Sequence, residues 1–192
     1  MKNILKYLPT IIYVCFIYLS QYMLIMHPSE TKTLIVFIIT IILGTINIAM
    51  AIIYGVNKDK ETLLTNGVIL KSSTVFIYVL IFGLTLSLTA LFAIFVGPFS
   101  LVAIIPAFIL DVLMLIVSST YTITYLILDY KETNNKNNII HIIMQVFFVL
   151  DVIDTIIITM IKEKDKRLKY LLLIIPLIAV PFIIFITFII LA

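Results

Sequence analysis

Four uninterrupted apolar runs, each long enough to cross a bilayer, constrain this chain more than any other feature. They cover about Ile4–Met26, Leu34–Tyr54, Thr74–Val96 and Leu101–Leu128. A helix needs roughly 20 mostly apolar residues to span the hydrocarbon core. A fifth run, Tyr170–Ala192, carries Pro176 and Pro181, which kink a membrane helix without excluding one. Only 12% of the 192 residues are charged, whereas a soluble domain uses about a quarter to cover its surface. The expected fold is therefore all-α: a polytopic transmembrane helix bundle of five or six helices, forming one integral membrane domain over residues 1–192. The first run is longer than a signal-peptide core and no small-x-small cleavage pattern follows it, so it reads as a retained span.

Two connections are short: Gly97-Pro98-Phe99-Ser100, and His27 to Thr33. Short links make antiparallel neighbours, so spans 1–2 and 3–4 are each expected to form a hairpin. The hairpins resemble one another. At an offset of 71, Lys60-Glu61-Thr62 aligns with Lys131-Glu132-Thr133, and Ser29, Phe37 and Tyr54 align with Ser100, Phe108 and Tyr125. A tandem hairpin repeat of this parallel kind occurs in some transporters; chance self-similarity of apolar sequence is the alternative.

The stretch 138–161 is long enough to span but contains His141, Gln145, Asp151 and Asp154. Its apolar residues favour insertion by about 6–8 kcal/mol, and two central aspartates cost about 5–7 kcal/mol. Hydropathy alone leaves the segment undecided. At 100° per residue His141, Gln145, Asp151, Thr155, Thr159 and Lys162 share one arc, with Asp154 beside it, which makes an amphipathic helix with a narrow polar stripe. Charge placement favours a segment that does not cross. With the N-terminus cytoplasmic, twelve of the 13 basic residues then lie inside, Lys71 and the Lys162–Lys169 run among them, and only Lys32 lies outside. The segment is thus expected at the interface or as a re-entrant element. A sixth span completing a third hairpin is the rival reading.

Asp111 lies near the middle of a long apolar helix, where a carboxylate should face protein or water. Ser118, Thr122 and Tyr125 follow on its face. The matching face of span 2 carries Thr40, Gly44, Asn47, Ala51 and Tyr54. Asp111, Asn47, Ser118 and Thr122 suit either a polar pathway for a proton or small solute, or interhelical hydrogen bonds that fix packing, with a protonated Asp111 donating to Asn47. Asp151 and Asp154, spaced i and i+3, suit either a proton relay or an interfacial helix with its acids in water. His141 and Gln145, one turn apart, are placed to hydrogen-bond.

The remaining signals mostly exclude. Cys15 is the only cysteine, so neither a disulfide framework nor a thiolate metal site is expected, and two histidines without clustered ligands point to no metal. HExxH, GxSxG, P-loop and CxxC patterns are absent, so no enzyme and no cofactor are expected. The run from Lys162 to Lys169 holds five basic and two acidic residues, which suits a topology determinant or anionic headgroups rather than nucleic acid.

The stretch Asn137 to Lys166, and within it Gln145-Val146-Phe147-Phe148-Val149-Leu150-Asp151-Val152-Ile153, resembles the C-terminal part of an uncharacterised family of small multi-pass membrane proteins of Gram-positive bacteria. That family carries a Q-x-x-F-x-x-D-V-I-like pattern before a lysine-rich tail, and a span with a central acid, as in Ile109-Leu110-Asp111-Val112-Leu113. This chain departs from it by adding a span after the lysine-rich run. The resemblance implies architecture and a bacterial cell membrane, and no activity. Three functions fit these observations. One is a non-enzymatic accessory component that touches lipid and other membrane proteins or its own copies. The second is a small proton-coupled transporter using Asp111. The third is an intramembrane enzyme acting on lipid or peptide.

Overall fold

The computed structural model describes residues 4–26, 31–75, 100–147 and 150–162, all helix and turn. A 3₁₀ turn, Ile4–Lys6, leads into α1 (Leu8–Met26), and α2 (Thr31–Val56) follows. The helix α3 is described over 60–75. Then come α4 (Ser100–Thr133), α5 (Asn137–Met144) and α6 (Leu150–Lys162). Of the expected spans, Thr74–Val96 lies outside the described residues from 76 onward, and Tyr170–Ala192 lies wholly outside them.

Local chemistry explains the boundaries. Pro9 stands in the first turn of α1, where its missing N–H interrupts no helical hydrogen bond. The chain leaves α2 through Lys58, whose φ of 55° places it in the left-handed region that closes helices. Asp59 then caps α3. Its Oδ1 accepts from the Thr62 amide at 3.2 Å and its Oδ2 from the Thr62 hydroxyl at 2.9 Å. The exit from α4 has the same form: Asn134 has φ 53°, and Asn135 Oδ1 accepts from the Asn137 amide at 3.1 Å. The two KET tripeptides are not equivalent in this framework. Lys60–Thr62 opens α3 and Lys131–Thr133 closes α4, and the repeated turn recurs at an offset of 76, Lys58 to Asn134.

The region between the second and third expected spans is where the structure departs furthest from the sequence reading. The third span was expected to begin at Thr74, but the helix is already formed at 60, and residues 62–68 and 70–74 are buried. Its hydroxyls bond back to their own helix, Thr65 to Glu61 O at 2.7 Å and Thr74 to Leu70 O at 2.9 Å, while Ser72 donates to Val68 O. A helix buried on all sides belongs in the middle of a bundle. Gly67 lets it approach α4: a Cβ there would lie 2.9 Å from Thr122 Oγ1. Lys71, assigned by charge counting to the cytoplasmic side, is therefore interior, with 1% of its surface exposed.

Two helices, α2 and α6, carry polar residues inward and large apolar residues outward, the reverse of a surface helix in water. The inward face of α2 is Thr33, Thr40, Gly44, Asn47, Ala51 and Tyr54. Its outward face includes Leu34, Ile35, Ile38, Ile42, Ile52 and Ile53, each about half exposed or more. α6 likewise turns Asp151, Asp154, Thr155 and Thr159 inward and Leu150, Ile153 and Met160 outward. Among the described residues, Thr31–Val56 and Ile109–Thr133 are long and apolar enough to cross a membrane, and Leu8–Met23 is a shorter apolar helix.

Charged groups also gather at one end, where α1 begins, α2 ends, α3 begins and α4 ends. Lys6 Nζ meets Asp59 Oδ2 at 2.6 Å; Lys60 Nζ meets Asp129 at 3.2 Å and Glu132 at 2.7 Å. Burial works against the Asp59 charge, but hydrogen bonds from Lys6 and Thr62 outweigh it and hold the carboxyl below the usual range. Burial likewise opposes the Lys60 charge, and the Glu132 and Asp129 carboxylates overcome it, raising the ammonium above its usual value.

Candidate functional site: a buried charged centre

The stretch 138–161 is neither one crossing helix nor one interfacial helix. A continuous helix would hold His141 and Asp154 about 20 Å apart; His141 Nδ1 lies 2.5 Å from Asp154 Oδ1. The chain therefore doubles back between Met144 and Leu150, making α5 and α6 a helical hairpin. α5 runs back along α4. At its start Asn138 Nδ2 donates to Asp129 Oδ2 at 2.9 Å, and at its end the Gln145 carbonyl accepts from Ser119 Oγ at 2.6 Å. This geometry makes the segment two helices rather than one continuous helix. It also corrects the expectation that Asp151 and Asp154 face water, because both are 0% exposed.

Inside the hairpin Gln145 is the bridge. Its Nε2 donates to Asp154 Oδ2 at 2.5 Å, and its Oε1 accepts from Lys71 Nζ. Lys71 Nζ also donates to the backbone oxygen of Asp151 at 3.3 Å and lies 3.3 Å from Asp151 Oδ2. The latter contact is an ion pair by distance without hydrogen-bond geometry, and among the described residues neither Asp151 carboxylate oxygen has a hydrogen-bond donor. Four helices thus supply one centre: Lys71 from α3, Ser119 from α4, His141 and Gln145 from α5 and its C-terminal turn, Asp151 and Asp154 from α6. His141 is the most open of the four ionisable members, at 21% side-chain exposure.

The other candidate residues do not join it. Asn47 is a packing hub: its Oδ1 accepts from Thr10 and Tyr121, each at 3.1 Å, and its Nδ2 donates to the carbonyls of Pro9 (3.2 Å) and Leu43 (2.9 Å). With all its capacity used, Asn47 takes no bond from Asp111. Ser118 and Thr122 bond carbonyls of their own helix, Leu115 at 3.2 Å and Ser118 at 3.5 Å. Asp111 is buried, and its Oδ1 has no partner among the described residues. The expected Asp111–Asn47–Ser118–Thr122 pathway is not assembled as one site. Lys71 is the member that sequence reasoning placed elsewhere. Its signal was the run Leu63 to Thr74, which holds a single charge and so extends the third apolar run toward the N-terminus. No group of three or more His, Cys, Asp or Glu side chains suited to a metal occurs among the described residues.

The fold and site define an all-helical protein with apolar residues on its outer faces and a charged cluster in its core. The chain belongs to the family of unknown function DUF6652, whose profile matches residues 7–167. The match takes in every helix described here and ends within the lysine-rich run. No curated protein and no solved structure matches the chain.

Proposed function

We propose that the chain is a multi-pass protein of a bacterial cytoplasmic membrane, with its N-terminus inside and α5–α6 as a re-entrant hairpin, and that it acts without covalent catalysis. The inverted polarity of α2 carries this reading. A surface of Leu34, Ile35, Ile38, Ile42, Ile52 and Ile53 over an interior of Thr40, Asn47 and Tyr54 is costly in water and favourable in lipid. The hairpin agrees with it: turns such as the one at 145–147 are tolerated at membrane depth where protein surrounds them, and a hairpin returns Lys162 to the side that holds Lys58 and Lys136.

Cysteine labelling tests the arrangement. Cys15 is the only native cysteine, so Cys15→Ser gives a silent background. Cysteines at Lys58 and Lys136 should label from the cytoplasmic face of sealed vesicles, and one at Lys32 from the outer face. Recovery of the chain in the soluble fraction, or Lys58 and Lys136 labelling from opposite faces, rejects the proposal.

Of the non-catalytic roles, ion-linked transport accounts for the charged centre, since charges kept inside a membrane protein commonly mark proton or ion paths. The residues carrying it are Lys71, Asp151, Asp154 and His141 rather than Asp111. A pH-gradient-driven flux in proteoliposomes should fall at least tenfold in Asp151→Asn. Flux unchanged in both Asp151→Asn and Asp154→Asn leaves the accessory role, in which the apolar face of α2 packs on another membrane protein or a second copy.

A further inference from the structure

The ionisable groups at the charged end of the bundle divide into two sets. In the first, Lys6 is engaged by Asp59, and Lys60 by Asp129 and Glu132. These contacts fasten the α2–α3 turn to the start of α1 and the end of α4, and they occupy the acids that would repel an anion. The second set is Lys58 in the α2–α3 turn, Lys131 in the last turn of α4 and Lys136 in the turn before α5. All three are exposed, and among the described residues none has an acidic partner. Glu61 is the one exposed acid left over beside them. We propose that this end of the bundle is a docking surface for anionic phospholipid headgroups, held by Lys58, Lys131 and Lys136. The proposal rests on the membrane reading above and names the lipid chemistry at one face of it.

Charge alone would suit any anion; what selects a lipid is the apolar surface beside each ammonium. Lys131 stands one turn after exposed Ile127 on the same face of α4, and Lys136 one turn before exposed Ile140. Val56, the most exposed large apolar residue of α2, lies two residues before Lys58. Each lysine therefore marks a boundary, with an apolar side chain below it for an acyl chain and an ammonium above it for a phosphate. A lysine stem follows apolar surface while its head stays at the polar level, which suits that boundary. Two of the three also share one side of the bundle. Thr124, two turns before Lys131 on the same face of α4, would lie 2.5 Å from a Cβ at Gly55, three residues before Lys58. The pairs formed by Lys6 and Lys60 keep the turns that carry these lysines in place, so the surface is ordered before lipid reaches it.

Spin-labelled phosphatidylglycerol and phosphatidylcholine with identical acyl chains provide the test. Electron spin resonance of the full chain in phosphatidylcholine bilayers gives the relative affinity of the two headgroups for the protein surface. The parent chain should favour phosphatidylglycerol by about threefold or more at low salt, and concentrated salt should weaken that preference. Lys58→Gln, Lys131→Gln and Lys136→Gln together should bring it close to parity, while arginine at the same three positions should keep it. Glu61→Gln should strengthen it, and Lys32→Gln, at the opposite end of α2, should leave it unchanged. If the triple glutamine variant does not fold, the three single variants carry the test, each lowering the preference. Equal affinity for the two lipids in the parent chain overturns the proposal, an arm that needs no variant. So does a preference that survives in the triple glutamine variant; its loss on neutralising Lys164, Lys166, Arg167 and Lys169 would give the lipid to the lysine-rich run instead. Displacement by inorganic phosphate beyond that by chloride at equal ionic strength would make this a site for free phosphate, and also overturns it. Failure of the membrane reading is separate, because it appears in fractionation and labelling.

Discussion

Lys71 Nζ and Asp151 Oδ2 lie 3.3 Å apart in the interior, 1% and 0% exposed, on helices that the sequence separates by 80 residues. The pair holds α6 against α3, and through Gln145 it orders the whole α5–α6 hairpin.

Breaking a buried pair leaves the surviving charge without compensation, which costs about 3–5 kcal/mol. Lys71→Met should therefore destabilise the protein by about that much. Lys71→Met combined with Asp151→Leu should recover most of the loss, since two apolar residues of similar volume leave no stranded charge. Thermal unfolding in detergent micelles, run as a double-mutant cycle, measures the coupling. Additive effects of the two substitutions would show that the groups do not interact.

Asn47 ties three helices together with a fully used amide. Asn47→Leu strands the hydroxyls of Thr10 and Tyr121 and the carbonyl of Pro9 at once. Interhelical hydrogen bonds in membrane proteins average about 0.6 kcal/mol each, and a buried group left unsatisfied costs about 1–3 kcal/mol. The expected loss is about 2–3 kcal/mol for Asn47→Leu and under about 1 kcal/mol for Tyr121→Phe, which removes one donor and leaves the hub intact. Equal losses in the same unfolding assay would mean that the aromatic ring, not the amide, organises this contact.

Gly55 sets how closely α2 and α4 approach. A Cβ at this position would stand 2.5 Å from Thr124 Cγ2, closer than two carbons tolerate, so Gly55→Ala should cost about 1–3 kcal/mol through displacement of the helices. The offending atom is a methyl, and Thr124→Ser removes it while keeping the hydroxyl that donates to Thr120 O at 2.7 Å. The double variant should regain most of the stability lost in Gly55→Ala. Absence of rescue would place the cost in the α2 backbone.

The sequence made the helices legible where apolar length alone defines them: α1, α2 and α4 fall within a few residues of the expected spans, apart from the C-terminal extension of α4 to Thr133. It also drew His141, Gln145 and Asp151 on one arc with Asp154 beside it; in the structure His141 and Gln145 both bond Asp154, and Asp151 instead meets Lys71. It misdirected the reading of Lys71, because hydropathy scores a lysine by its cost in lipid and is blind to an acid 80 residues away that offsets it. The fold-back between α5 and α6 was hidden for a related reason. A 100° wheel drawn through 138–161 assumes an unbroken helix, and the polar arc it produces looks the same whether one helix carries it or two helices share it face to face. The stripe on α2 and α4 was found, but its chemistry was not. Asn47 satisfies itself with Thr10, Tyr121 and two carbonyls, all outside the pairing with Asp111 that shared helical phase proposes.

At the charged end of the bundle, Asp59 gives a pH dependence whose sign follows from its surroundings. Burial disfavours its charge, yet the Lys6 ammonium at 2.6 Å and the two bonds from Thr62 prevail and lower its folded pKa. A carboxyl whose folded pKa lies below its unfolded value of about 3.9 adds stability that is complete above that value and is lost as the pH falls through the folded one. Asp59→Asn keeps a side-chain oxygen able to cap α3 but removes the charge. It should therefore be less stable than the parent chain at neutral pH, and the gap should close as the pH drops below about 4. Asp59→Ala loses the cap as well, for about 1 kcal/mol more, and that part should persist at every pH. Unfolding midpoints in detergent across pH 3–7 separate the two contributions. A gap between parent and Asp59→Asn that stays constant through the acid range would mean that the Lys6 contact contributes nothing through charge.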